Sequence, residues 1–424
     1  MEKNVPEIRF KGFSGNWVFK TISELINEEI LYPPKDGNHG DIHPKATDYV
    51  KYGIPFIMAN NIRDGAIQFY NCNHIRLSQA ETLQKGFAKS GDVLLTHKGT
   101  VGEVAVIPST EFPYLMLTPQ VTYYRIFNAN LLDTNFLATS FITNNFQAPL
   151  KSEAGGGTRA YIGITAQQNL GISIPPEIRE QSKIGNTFQK LDSLINQQQQ
   201  KHDKLSNIKK AMLEKMFPKQ GETIPEIRFK GFSGAWEEKR LCEAAPLRGG
   251  FAFQSFKFSD SGIPIVKISN ILPTGEVGGE FNYFKEINND ENYLLLDGSA
   301  LLAMSGATTG KVSILKSSKN SKFYQNQRVG YFQRNIEFNY LFISTLVRSH
   351  IFKDKLDAVL VAGAQPNVSS KEIDSFEFMM PSDINEQTKI GNYFQKLDTL
   401  INQHQQQITK LNNIKQACLS KMFV

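Results

Sequence analysis

The residues in this chain that could carry covalent chemistry are scattered, and each candidate fails on spacing. Ser305-Gly306-Ala307-Thr308-Thr309-Gly310-Lys311 resembles a phosphate-cradling loop, but three residues separate the glycines where four are needed. Val312 also stands where Ser or Thr must hold magnesium, so the segment reads as a Gly-rich turn between strands. Ala154-Gly155-Gly156-Gly157-Thr158 lacks the strand-to-helix setting of a dinucleotide site and reads as a loop. His39 and His43 lie among Gly, Asp and Pro rather than on a helix, and no HExxH occurs. GxSxG is absent, as is the Asn/Asp-Pro-Pro-Tyr/Phe motif of adenine methyltransferases. The expectation is a chain with no catalytic residues, no metal site and no cofactor of its own.

What must position the remaining polar side chains is a duplicated scaffold. Pro6–Trp17 reads PEIRFKGFSGNW and Pro225–Trp236 reads PEIRFKGFSGAW, eleven of twelve letters agreeing. Glu180–Phe217 matches Glu386–Phe423 in the same way, along EQ-x-KIG…F-x-KLD-x-LI…KL-x-x-IK…KMF. The offset falls from 219 to 206 between these blocks, which places a net deletion in the intervening region. That region has diverged but keeps a skeleton. Gly53-Ile-Pro…Asn61-Ile62 answers to Gly262-Ile-Pro…Asn270-Ile271, Gly99…Gly102 to Gly306…Gly310, and Gln120-Val121 to Gln327-Arg328-Val329. Short β-branched and aromatic runs between Gly, Asn and Pro turns predict strands. Helical pieces are predicted near Asn135–Phe146 and Tyr340–Phe352. The fold class is therefore α+β, with two similar domains separated by two long helices.

Those helices lack Gly and Pro from Asn186 to Phe217, and Pro218 stops the first one. A seam runs through Ile184, Phe188, Leu191, Ile195, Gln198, His202, Leu205, Ile208, Met212 and Met216. Its twin runs through Ile390, Phe394, Leu397, Ile401, His404, Ile408, Leu411, Ile414, Cys418 and Met422. Gaps alternating between four and three are those of a coiled coil, slipping toward the C-terminal end. Two matching seams predict antiparallel pairing of the helices and a pseudo-two-fold axis; packing of each helix on its own domain is the alternative. A helix of about 33 residues is on the order of 50 Å long. The predicted boundaries are 1–178 and 219–384 for the domains, and 179–218 and 385–424 for the helices.

Composition is that of a globular protein, 40% hydrophobic and 21% charged, with net charge +6. The charge permits a polyanion partner without requiring one. Three cysteines without CxxC spacing fit a reducing cytosol, and no stretch is long and apolar enough for a membrane span.

The whole pattern resembles the specificity subunit of type I restriction–modification systems. The resemblance rests on the doubled helix block, with Gly262-Ile-Pro, the Gly306…Gly310 turn, Asn326-Gln327 and Gly363-Ala-Gln-Pro-Asn-Val-Ser before Pro381. The loops Asp36–Asp48 and Glu153–Thr158 depart from that pattern. The resemblance implies two target recognition domains, each reading one half of a split, asymmetric sequence in double-stranded DNA, and a non-catalytic, cytoplasmic chain. It implies docking of two methyltransferase subunits, which carry S-adenosylmethionine and modify adenine, and addition of translocating restriction subunits to make the nuclease. A coiled-coil scaffold joining two protein-binding domains is the alternative reading.

Base edges are read by Arg, Lys, Asn and Gln, and phosphates by Lys, Arg and small hydroxyls. At turns and strand ends of the skeleton these are Asn60, Asn61, Arg63, Lys98, Thr100, Gln120 and Arg159 in the first domain. Their counterparts in the second are Lys267, Ser269, Asn270, Lys311, Gln327, Arg328, Gln365 and Asn367.

Overall fold

The computed structural model describes residues 4–155, 157, 160–318, 321–362 and 367–424. It divides into two compact units, Met1–Gln199 with Gln406–Val424, and Gln200–Gln405. Each unit holds one of the two repeated domains and part of each long helix. The central helix (Ile178–Lys215) and the C-terminal helix (Ile384–Lys421) are 38 residues each.

The same sheets form twice. In the first unit, a four-stranded sheet runs Asn73–Ile75, Ile54–Ile57, Leu115–Leu117, Phe87–Ala88, with the central pair parallel. A second runs Lys35–Asp36, Val121–Tyr124, Val93–Lys98, Thr100–Val106, all antiparallel. The second unit repeats both orders: Asn282–Phe284, Ile263–Val266, Phe323–Gln325, Leu294–Leu295, and Leu247–Arg248, Val329–Phe332, Ala300–Ala303, Val312–Ile314. Strands such as Ile54–Ile57 and Ala300–Ala303 are buried at every position, which is why they read as continuous apolar runs rather than alternating ones.

Each predicted helical piece is two helices, Thr134–Phe141 then Asn144–Ala154, and Tyr340–Leu346 then His350–Ala362. Hydroxyls explain the breaks. Ser140 and Thr143, and Ser344 and Ser349, donate back to carbonyls three or four residues earlier, competing with continuation of the helix.

The repeated letters account for the junction of helix and domain. Glu180 is fully buried and takes both arms of Arg9 at 2.6 Å; Glu386 takes Arg228 at 2.7 Å. The neighbouring Gln181 accepts from the Asp133 amide and donates to the Pro175 carbonyl, as Gln387 does for Asn339 and Pro381. Gly185 and Gly391 let the domain's helix touch the long helix: a Cβ there would lie 2.5 Å from the Phe136 nitrogen or 2.7 Å from that of Phe342.

Within each unit the two helix halves run antiparallel. In the first, Phe188 meets Phe423 and Asp192 pairs with Lys415 at 2.5 Å. In the second, Phe394 meets Phe217 and Asp398 pairs with Lys209 at 2.5 Å. These are the same contacts with the partners exchanged between the two copies of the repeat. Ile184, Phe188 and Leu191 join Cys418, Leu419, Met422 and Phe423 in a core that also contains Trp17 and Phe136 of the domain. Ile390, Phe394, Leu397, Leu205, Ile208, Met212 and Met216 do the same around Trp236 and Phe342. The helix halves thus pack on each other and on their domain at once. Ile195, Ile401 and Leu411 are half-buried. Ile414 corrects the predicted seam. It is 40% exposed, unlike its twin Ile208, which packs against the core of the second unit, while Leu419 is buried.

Candidate nucleic-acid interface

The polar side chains singled out in the sequence lie largely around one backbone junction, built in both units. It starts where the strand Ile54–Ile57 ends and a 3-10 turn, Ala59–Asn61, begins. The Asn61 side chain accepts from the Met58 amide at 2.9 Å and donates to Asn71, so the turn is locked from inside. Asn270 does this for Lys267, also at 2.9 Å, and donates to the carbonyls of Gly278 and Glu280. Both asparagines are buried, at 2% and 1% exposed. Their predicted contact with bases is therefore corrected: these side chains are spent on the turn that displays Asn60 and Ser269, which are exposed.

The Ile57 carbonyl accepts from the Thr118 amide, and the Val121 amide returns to the Thr118 carbonyl, forming a tight turn that holds Gln120. In the second unit Val266, Asn326 and Val329 repeat these bonds around Arg328. The Gln120 carbonyl then accepts from His97, at the end of the strand leading to the Lys98–Thr100 hairpin tip. The Arg328 carbonyl accepts from Met304 in the same way. Position for position, Met58 answers to Lys267, Asn60 to Ser269, Lys98 to Ser305, Thr118 to Asn326, Pro119 to Gln327 and Gln120 to Arg328. All six pairs differ, while the framing Asn61/Asn270, Gly99/Gly306 and Val121/Val329 are identical.

In the first unit His39, His43, Met58, Lys98, Thr118 and Gln120 line a hollow of about 340 Å³. The Thr118 hydroxyl and His43 Nδ1 are buried there without a hydrogen-bond partner among the described residues. Gln120 Oε1 makes one long contact, 3.4 Å, with the Ala59 amide. Lys98 is exposed and lies 6.0 Å over the Tyr161 ring. Behind the hollow, burial pushes the Asp36 carboxyl up, but hydrogen bonds from Lys85 and His39 outweigh it and hold the group below its usual range. His97 is fully buried beside Asp36, and burial pushes its pKa down to about 4.

In the second unit Gln327 and Arg328 are exposed, and Arg328 has no side-chain hydrogen bond or ion pair among the described residues. Lys267 is half-buried and bonded to Asn282. Thr308 ties the Gly-rich loop to the Ile268 carbonyl, so that loop is a turn between strands. Some predicted residues lie apart. Arg63 is exposed on a separate hairpin, Ile62–Ile67, where a Cβ on Gly65 would sit 3.8 Å from Asp192 of the central helix. Lys311 is half-buried one residue before the strand Val312–Ile314, and Asn367 is exposed. Arg159 and Gln365 lie outside the described residues. Sequence reasoning did not single out Met58 or Thr118; Asn326 entered only as part of the family pattern, and His39 and His43 only as a rejected metal pair. Comparing the two halves at the positions flanked by the shared Asn, Gly and Val would have found Thr118 and Asn326.

One α+β unit is thus built twice on near-identical helices, with different polar side chains on the same backbone junction. A family model for the type I restriction modification DNA specificity domain matches residues 15–207 and again residues 234–413, and the chain belongs to that family. It is 23% identical over 376 residues to the type I restriction enzyme MjaVIII specificity subunit of Methanocaldococcus jannaschii, covering 83% of this chain and 84% of the relative. Its fold is that of a crystallised type I restriction–modification S subunit from M. genitalium, with TM-score 0.65, 17% identity and 99% of each chain covered. The fold-class expectation of two similar α+β domains and long helices holds. No helix among the described residues is long and apolar enough to cross a membrane.

Proposed function

We propose that this specificity subunit gives a type I restriction–modification complex its DNA target, each unit reading one half of a split, asymmetric sequence. The observation that carries this is the junction described above: the same backbone hydrogen bonds in both units, bearing different side chains at six positions. A shared frame serves a shared task, and the differing side chains then present different donors and acceptors to base edges. The near-identical helices fit docking of two methyltransferase subunits, one per equivalent surface. In this reading those subunits carry S-adenosylmethionine and modify adenine, the present chain supplies no reacting group, and restriction-translocase subunits complete a nuclease in the cytoplasm.

The test is to express the chain with a type I methyltransferase subunit in a host lacking adenine methylation and to map methylated positions genome-wide. A single bipartite motif, present only with this chain, is the expected result. Methylation that does not depend on the chain, or none in a complex that assembles, would overturn the reading.

A further inference from the structure

We infer that Gln120 and Arg328 are equivalent base-reading positions of the two units, and that the half-sites differ there, A·T facing Gln120 and G·C facing Arg328. This rests on the DNA-reading role proposed above and deepens it.

The equivalence is geometric. Each residue is third in a turn whose first amide bonds to the end of the parallel strand, and each carbonyl accepts from the strand before the hairpin, His97 in one unit and Met304 in the other. The backbone therefore presents both side chains from the same place in the fold. Their chemistry differs in a way base edges distinguish. A carboxamide offers one acceptor and one donor, which matches the N6 amino group and N7 of adenine; a guanidinium offers paired donors, which match O6 and N7 of guanine. Both groups are available. Oε1 of Gln120 makes only its long 3.4 Å contact and keeps a second lone pair, and Arg328 is exposed with no side-chain partner among the described residues.

The surroundings of Gln120 point independently to a ligand. Thr118 is 2% exposed and lines the hollow beside Gln120, and its hydroxyl lacks a partner among the described residues. Buried polar atoms are rarely left unpaired, and a bound polar edge would satisfy this one. Lys98, exposed on the rim, supplies a cation for a flanking phosphate.

The experiment uses the full chain in its methyltransferase complex, with methylation motifs mapped for the wild type, Gln120→Arg, Gln120→Ala and Arg328→Gln. The expected results are specific to one base pair. Gln120→Arg moves one position of the first half-site from A·T to G·C, by roughly tenfold to a hundredfold in preference. Gln120→Ala relaxes that position alone, Arg328→Gln makes the reverse change in the other half, and the gap is constant throughout. A Gln120→Ala motif identical to the wild type would overturn the inference, as would a uniform fall in methylation at every sequence, which marks a phosphate contact. A wild-type complex without a chain-dependent bipartite motif would instead remove the DNA-reading role itself.

Discussion

Arg9 grips Glu180 through two 2.6 Å hydrogen bonds across 171 residues of sequence, while two further bonds from the same guanidinium hold the carbonyls of Ser14 and Gly15. One side chain thus folds the PEIRFKGFSG segment and fastens it to the start of the central helix. Arg228 repeats all four bonds, with Ser233, Gly234 and Glu386. Glu180 is fully buried, so removing Arg9 strands an uncompensated carboxylate. Arg9→Met is expected to cost about 3–5 kcal/mol. Adding Glu180→Gln should recover part of that loss, because the charge is removed with its partner. Equal stability of Arg9→Met and wild type in urea unfolding would contradict the latch.

Gly185 and Gly391 sit inside long helices, where propensity alone favours alanine by about 1 kcal/mol. Close approach reverses the sign, since a Cβ would fall 2.5 Å from the Phe136 nitrogen and 2.7 Å from that of Phe342. Gly185→Ala and Gly391→Ala should each destabilise by roughly 1–3 kcal/mol. A raised melting temperature for either variant would show that the helices do not touch there.

The first unit should be the acid-sensitive one. His97 is buried and its pKa is pushed down to about 4, so between pH 6.5 and 4 the unfolded chain binds a proton that the folded chain refuses. The stability from keeping His97 neutral is complete above pH 6.5 and is lost as pH falls toward 4, on the order of 3 kcal/mol at most. Asp36, held below its usual range, adds a further loss only at still lower pH. Met304 occupies the equivalent position in the second unit and cannot titrate. Each unit has one buried tryptophan, Trp17 or Trp236, so single-tryptophan variants report on them separately. Trp17 should report weakening from pH 6.5 to 4, and His97→Met should remove most of it, the remainder belonging to His43, whose pKa burial also pushes down. A slope as steep in His97→Met as in the wild type would refute the assignment.

The Ile8 amide bonds to the Lys421 carbonyl as the Ile227 amide bonds to that of Lys215. In the second unit five residues, Pro218–Glu222, join the helix end at Phe217 to Thr223, whose carbonyl accepts from Trp236. In the first unit Asn4 makes that bond with Trp17. A permuted chain with a five-residue linker from Phe423 to Asn4, opened between Pro218 and Glu222, should therefore fold with a melting temperature near that of the parent. An insoluble or molten product would contradict the equivalence of the two connections.

The duplication was legible because the residues that fix helix to domain are the repeated ones: Arg9, Glu180, Gln181, Gly185 and Phe188 each make a contact that their twins repeat. The sharing of each helix between two units was not legible, since a seam shows that a helix pairs but not which half packs on which domain. The second seam failed at Ile414, which is exposed although Ile208 at the same position of the first seam packs against a core; near-identical letters do not show that difference. Asn61 and Asn270 were misread because an asparagine that locks a turn and one that reads a base look alike in sequence. Thr118 was passed over because its place opposite Met58 comes only from the parallel pairing of Leu115–Leu117 with Ile54–Ile57.

The central claim is that the two units are interchangeable reading heads on one duplicated frame. It is tested most directly by replacing residues 240–378 with residues 21–172, so that both units carry the first domain, and mapping methylation by the assembled complex. The account predicts a bipartite motif whose two halves are both the first half-site. Retention of the parental asymmetric motif by the assembled hybrid complex would contradict it.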